Sequence, residues 1–155
     1  MPPLDAVRRR FRHHAWAGRT LVGVLEAHPV PEALRPFAHA LAADRLWHRR
    51  LTGVDTAGLE VWPTLDVAAC RALLAATTSD WRSFLGRLDA LGGTIRYQNS
   101  TGEPFESSVA DVLDHVRLHA AHHRGQANAA LRAAGVVPPA LDLIVWARTP
   151  TAPRL

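Results

Sequence analysis

The chain has 155 residues, 48% of them hydrophobic and 21% charged, which suits one globular domain with a sizeable core and excludes wholesale disorder. A single cysteine, Cys70, excludes an intramolecular disulfide and a multi-cysteine zinc site. All 18 basic residues are arginine, yet the formal charge is only +4, and the one dense cluster, Arg8-Arg9-Arg10 with Arg12, is too small to argue for a nucleic-acid binder.

Four long segments carry helical periodicity. Leu4, Val7, Phe11, Gly18, Leu21 and Leu25 form one stripe, predicting a first helix from Leu4 to Ala27. His28-Pro29-Val30-Pro31 ends it. A second helix is expected from Pro36 to Leu51, with Glu32–Arg35 as a separate turn, because proline suits only the first turn. It has two apolar stripes: Phe37, Leu41, Trp47 and Leu51 on one side, His39, Ala42, Ala43 and Leu46 on the other. Such a helix touches two neighbours. Residues 53–63 read as loop.

The third helix is expected from Asp66 to Leu91, with Thr64 or Asp66 as N-cap. Its stripe is Cys70, Leu74, Thr77, Trp81, Phe84, Leu88 and Leu91, and Gly92-Gly93 is the expected stop. The period then changes. Thr94–Gln98 alternates, Asn99-Ser-Thr-Gly102 has turn chemistry, and Glu103–Glu106 returns, which predicts a short hairpin with Pro104 on an edge. The fourth helix is expected from Val109 to Ala134, with Ser108-Val-Ala-Asp111 as a capping box and Gly135 as stop. The remainder, Val136–Leu155, reads as extended or loop, with one helical turn at Leu141–Trp146. No apolar run approaches the roughly 18–20 residues of a membrane span. The opening Met1-Pro-Pro-Leu-Asp lacks the order of a secretory signal, so a cytoplasmic location is expected. The fold class that follows is all-α: a four-helix bundle with a long crossover and a short β-hairpin before the last helix, as one domain over residues 1–155.

Chemistry concentrates in the fourth helix, in His115-Val-Arg-Leu-His119-Ala-Ala-His122-His123-Arg124-Gly125-Gln126. Histidines four apart share a helix face and can reach one ion. The inward stripe reads Val112, Val116, His119, His123, Gln126, Ala130, which favours His119 and His123 over the flanking His115 and His122. Two imidazoles side by side in a core need partners on their nitrogens, and a divalent metal satisfies both. A third ligand must come from elsewhere. His39, His48, His13 and His14 are candidates, and spacing prefers His39 only slightly. Gly125, inside a helix, suggests a close approach. Asp44, Arg124 and Gln126 are candidates to steady a ligand or bind substrate; against this, Asp44 could pair with Arg45 or Arg49 at the surface and Arg124 could be a solvated charge. Trp16 and Trp47 could line a pocket or belong to the core. Cys70 sits on a core stripe and is rejected as nucleophile or ligand.

His119-Ala-Ala-His122-His123-Arg124-Gly125-Gln126, followed by Leu131-Arg132 and Gly135, resembles the hallmark of the DinB/YfiT-like family of metal-binding four-helix bundles. Phe11–Thr20 around Trp16-Ala17 is similar to that family's first helix. Phe37-Ala-His39-Ala-Leu-Ala-Ala-Asp44-Arg-Leu-Trp47 is similar to its second, and Ile95–Tyr97 through Gly102-Glu103-Pro104 to the segment before its last. Gly18 stands where many members have asparagine. The resemblance implies metal ligands at His39, His119 and His123, and nickel or zinc as the ion. It implies a homodimer and a metal-dependent transferase that joins an electrophile to a low-molecular-weight thiol such as bacillithiol or mycothiol. The alternatives are a metal-dependent hydrolase and a non-catalytic, metal-containing stress-response module.

Overall fold

The computed structural model describes residues 3–99 and 101–149. Met1, Pro2, Ser100 of the expected turn, and residues 150–155 of the expected C-terminal extended stretch lie outside the described residues. The protein is mostly helical, in the order α1 (Leu4–Ala27), α2 (Pro31–Thr52), α3 (Val67–Arg87), β1 (Thr94–Gln98), β2 (Pro104–Ser108), α4 (Val109–Ala133) and α5 (Leu143–Ala147). No described helix is long and apolar enough to cross a membrane.

The apolar stripes pack into two clusters. One joins Leu21 and Leu25 of α1, Phe37 and Leu41 of α2, Cys70 and Leu74 of α3, and Ala127 and Leu131 of α4. The other joins Val7 and Phe11 of α1, Trp81 and Leu85 of α3, and Val112 and Val116 of α4, with Trp47 and Leu51 of α2 packed against it. Membership of the clusters fixes the helix directions. α2 and α3 both run from the first cluster to the second, whereas α1 and α4 run the other way. The parallel pair α2 and α3 therefore needs a long connection, which residues 53–66 provide. Between the clusters, His14, Asp44, Thr77, His123 and Arg124 are all buried and form a polar layer across the middle of the helices.

Local chemistry sets the boundaries, and several differ from expectation. α1 spans the expected residues. α2 does not begin at Pro36 but at Pro31, in one continuous helix with Pro36 inside it. Pro31 takes the first position, where no N–H is needed, and Val30 before it is extended as a proline requires. Pro36 then forfeits a single bond near the helix start, an affordable loss because Phe37 and Ala38 directly after it are buried. α3 stops at Arg87, four residues early. Leu88 turns extended, and Leu91 reaches the second cluster from the following loop, so the apolar spacing outlasts the helix. Gly92-Gly93 is thus not the cap; Gly93, at φ +91°, instead accepts from the Val109 amide at 3.1 Å. Asp66, not Thr64, caps α3, accepting from the Ala69 amide at 2.8 Å.

The hairpin forms in antiparallel register, with Tyr97 opposite Phe105 and Pro104 opening β2. The returning strand runs two residues beyond its expected end. Ser108 caps α4 by accepting from the Asp111 amide at 3.0 Å, and its hydroxyl donates to the Asp111 carboxylate at 2.6 Å. At the other end Gly135 adopts φ +77°. Its N–H reaches the Arg132 carbonyl and that of Val136 the Leu131 carbonyl, a Schellman stop. Gly18 of α1 leaves room for Leu74 of α3: a β-carbon there would sit 2.7 Å from Leu74 Cδ1. The asparagine common at this position in the resembling family would require Leu74 to move.

Candidate metal centre

His119 and His123 occupy successive turns of α4, and α2, packed alongside, brings His39 to them. The His119 Nε2 lies 3.2 Å from His39 Nε2 and 3.1 Å from His123 Nε2. One ligand atom from each of the three falls within 4.8 Å of the others. Two nitrogens at about 2.0–2.1 Å from one tetrahedral ion stand about 3.3 Å apart, so the spacing fits a shared cation.

The outer nitrogens decide the tautomers. His39 Nδ1 donates to the Val61 carbonyl at 2.6 Å. His123 Nδ1 donates to Gln126 Oε1 at 2.7 Å. Since each ring spends its proton outward, the two Nε2 atoms face inward with lone pairs. The Gln126 amide nitrogen donates to His122 Nε2 at 3.1 Å, which fixes the orientation of that amide. His119 Nδ1 is buried without a hydrogen-bond partner among the described residues. Burial, then the neighbouring His123 and His39, push the His119 pKa down to about 4. Burial likewise lowers that of His123, against the Gln126 hydrogen bond. Both therefore hold the neutral state in which imidazole binds metal.

Trp62 completes one wall. Its ring stacks on His39 at 3.7 Å with an interplanar angle of 5° and meets His123 edge-on at 5.7 Å. Neither Val61 nor Trp62 was expected here, because both lie in the 53–66 connection, where no periodicity marks a contact. Trp62 is about half exposed, so it shields one side of the histidines while facing solvent with the other.

The remaining candidates separate. His13 bonds the Leu141 carbonyl, and His48 packs edge-on to Trp81 at 5.3 Å; neither joins the three. His115 lies against Trp47, 5.1 Å between ring centroids, and Trp47 carries Tyr97 and Arg50 on its other contacts, so Trp47 stands one residue removed from the site. Trp16 packs on His13, away from it. Gly125 has open space where a β-carbon would be; the expected close approach is absent, and nothing in the structure explains the glycine. The buried face of α4 runs Val112, Val116, Ala120, His123, Ala127, Leu131, one step round from the expected stripe. His119 is half-buried at its margin and Gln126 is exposed, because the site occupies the edge of the packed face. Cys70 is buried, which pushes its thiol up to about 11.

Asp44 and Arg124 are neither surface pair nor solvated charge. Both are buried, and His14 joins them. A guanidinium only donates, so Arg124 Nη1 donates to His14 Nδ1 at 3.3 Å. The His14 Nε2–H then donates to Asp44 Oδ2 at 2.7 Å. Residues 39 and 44 are five apart, about 140° around α2, so this triad lies on another face from the three histidines. Its carboxylate still acts on His119, favouring the charged ring against the larger effect of burial. Three members of the α1 arginine cluster are also engaged internally: Arg8 with Asp5, Arg9 over Trp146, Arg10 with Asp114.

The DinB family profile matches residues 11–153, nearly the whole chain, and the chain belongs to that family. Comparison with curated proteins and with solved structures gives no match.

Proposed function

For a DinB-family chain with this histidine cluster, we propose a divalent-metal protein in which His39, His119 and His123 hold nickel or zinc, and which transfers a low-molecular-weight thiol such as bacillithiol to an electrophile. The carrying observation is the convergence of three histidines, with His119 Nε2 at 3.2 and 3.1 Å from the Nε2 atoms of His39 and His123, while two of the rings donate outward to fixed acceptors. Without a cation, a proton on His119 Nε2 could satisfy only one of the two inward lone pairs of His39 and His123, whereas one ion satisfies all three nitrogens. When bound, the ion supplies charge that favours the anionic form of a thiol or water.

The chain's own residues prepare that chemistry. The Val61 carbonyl and Gln126 orient two imidazoles and fix their tautomers. Trp62 keeps water from one face of His39 and offers an aromatic surface to the apolar part of a substrate. In the proposed reaction a sulfur–carbon bond forms as the leaving group departs with its electron pair, and the thiol proton passes to solvent. The reading takes residues 1–155 as one domain, a four-helix bundle whose crossover is the 53–66 connection, acting as a cytoplasmic homodimer.

Two measurements test it separately. Elemental analysis of purified protein is expected to find one divalent ion per chain, lost in His39→Ala, His119→Ala and His123→Ala but kept in His48→Ala. Equal metal in all of these overturns the site. Mixing metal-loaded protein with 1-chloro-2,4-dinitrobenzene and bacillithiol, mycothiol or cysteine is expected to form the conjugate faster than the same mixture without protein, and His119→Ala is expected to return the rate to that uncatalysed level. No acceleration with any of the thiols refutes the transferase and leaves the metal site standing.

A further inference from the structure

A second site lies on the other side of the molecule. α1 and α3 are pinned together at two places: Gly18 lies against Leu74, and Arg8 donates to the Leu85 and Leu88 carbonyls at 3.1 and 3.0 Å. Between the pins, where Phe11 of α1 meets Trp81 of α3 at 4.9 Å, lies a cavity of about 640 Å³ with α5 along one side. That volume falls within the usual range for small-molecule sites. The walls are apolar and largely aromatic: Phe11, Ala15, Leu74, Trp81, Leu85 and Trp146.

The rim has one sign of charge. Arg12 and Arg19 of α1 and Arg82 of α3 line the cavity, and no aspartate or glutamate does. All three are exposed, and none has an ion pair or side-chain hydrogen bond among the described residues. Arg8, in contrast, is occupied by Asp5 and the two carbonyls. His14 lines the wall, but both its ring nitrogens are taken, by Asp44 and Arg124. Polar recognition therefore falls to the free guanidinium groups. Their planar fork suits a carboxylate, which it can hold through two parallel bonds.

We propose that the α1–α3 cavity binds an amphipathic organic anion, a carboxylate on an alkyl or aromatic body, with the body among the aromatic walls and the carboxylate held by Arg12, Arg19 and Arg82. None of His39, His119 and His123 lines this cavity, so the site is separate from the metal centre and does not rest on the transferase reading.

The test uses decanoate and 1-naphthoate as probes, with decanol and acetate as controls, in titrations of the full chain. Calorimetry gives affinity, and the fluorescence of Trp16, Trp81 and Trp146, all in the cavity wall, reports occupancy. At least one carboxylate is expected to bind saturably, one per chain, and the tighter of the two identifies the body as chain or ring. Decanol should bind at least tenfold more weakly than decanoate if the chain is preferred, and acetate not at all. The Arg12→Gln/Arg82→Gln double variant should weaken binding at least tenfold with its melting temperature unchanged, as expected for exposed positions. His119→Ala should bind as wild type does. The proposal is overturned if neither carboxylate binds or if the double variant binds as wild type does. Loss of binding in His119→Ala would merge the two sites and overturn their separation.

Discussion

Replacing Gln126 by leucine isolates what one outward hydrogen bond does for the metal centre. Gln126 is exposed, yet its Oε1 accepts from His123 Nδ1 at 2.7 Å. Leucine keeps the volume and helix propensity and removes that acceptor, along with the amide donor to the exposed His122. Partners of this kind are worth roughly 10–100-fold in metal affinity, which is about 1.4–2.7 kcal/mol. Because water can reach the exposed side of Gln126 and substitute for the amide, the loss should sit at the low end, about tenfold or 1.4 kcal/mol. Gln126→Glu keeps the acceptor and adds a negative charge, so it should bind zinc at least as tightly as wild type. The stability of the metal-free protein should change by less than about 0.5 kcal/mol in both, as for surface substitutions generally. Competition against a chromophoric zinc chelator at pH 7 and fixed salt measures the affinities, and urea melts the stability. If leucine leaves the affinity unchanged while His123→Ala abolishes binding, Gln126 does not orient its neighbour and the reasoning fails.

Three further outcomes follow from the buried polar layer and the core. Asp44→Ala strands the Arg124 guanidinium, which is 6% exposed, and should cost about 3–5 kcal/mol in a urea melt; a loss below about 1 kcal/mol would mean the His14–Asp44–Arg124 chain does not compensate that charge. In the metal-free protein His119 resists protonation down to about pH 4, whereas in the unfolded chain it protonates near its ordinary 6.5. The unfolded state thus binds more protons between those values, and stability should fall as pH drops from 6.5 to 4 and gain nothing from this group above 6.5. The full shift sets a ceiling of about 3.4 kcal/mol, which partial solvent screening should reduce to about 1–2 kcal/mol; melts at pH 7 and pH 4.5 with His119→Ala as reference measure it. Cys70, with its thiol pushed up to about 11 by burial, should react with a disulfide reagent at pH 8 only at the rate of unfolding, and rapid labelling of the native protein would contradict its burial.

The sequence made the α4 histidines readable because two donors four residues apart report a helix face directly. The choice of partner on α2 was less readable. Residues 37 to 44 of α2 are all buried, so its apolar pattern gives no single inward face, and family resemblance rather than spacing favoured His39. Arg124 leaves two readings open in the sequence for a related reason: beside polar neighbours a guanidinium can look solvated, and only the arrival of His14 and Asp44 from two other helices shows how its burial is tolerated. Pro36 invited too late a start for α2, since local propensity marks the cost of an internal proline and the packing of Phe37 that outweighs it is tertiary. Val61 and Trp62 left no local trace. Their roles come from the path of the 53–66 connection, which has no period to read and brings Val61 back to His39 across 22 residues of chain.

The arrangement of the three imidazoles also dictates when they can meet during synthesis. The carbonyl that steadies His39 follows it within 22 residues, but both donors on α4 emerge 80 residues or more behind it. No nascent segment that stops short of α4 can present the complete cluster, so the three imidazoles meet only after that helix has been made.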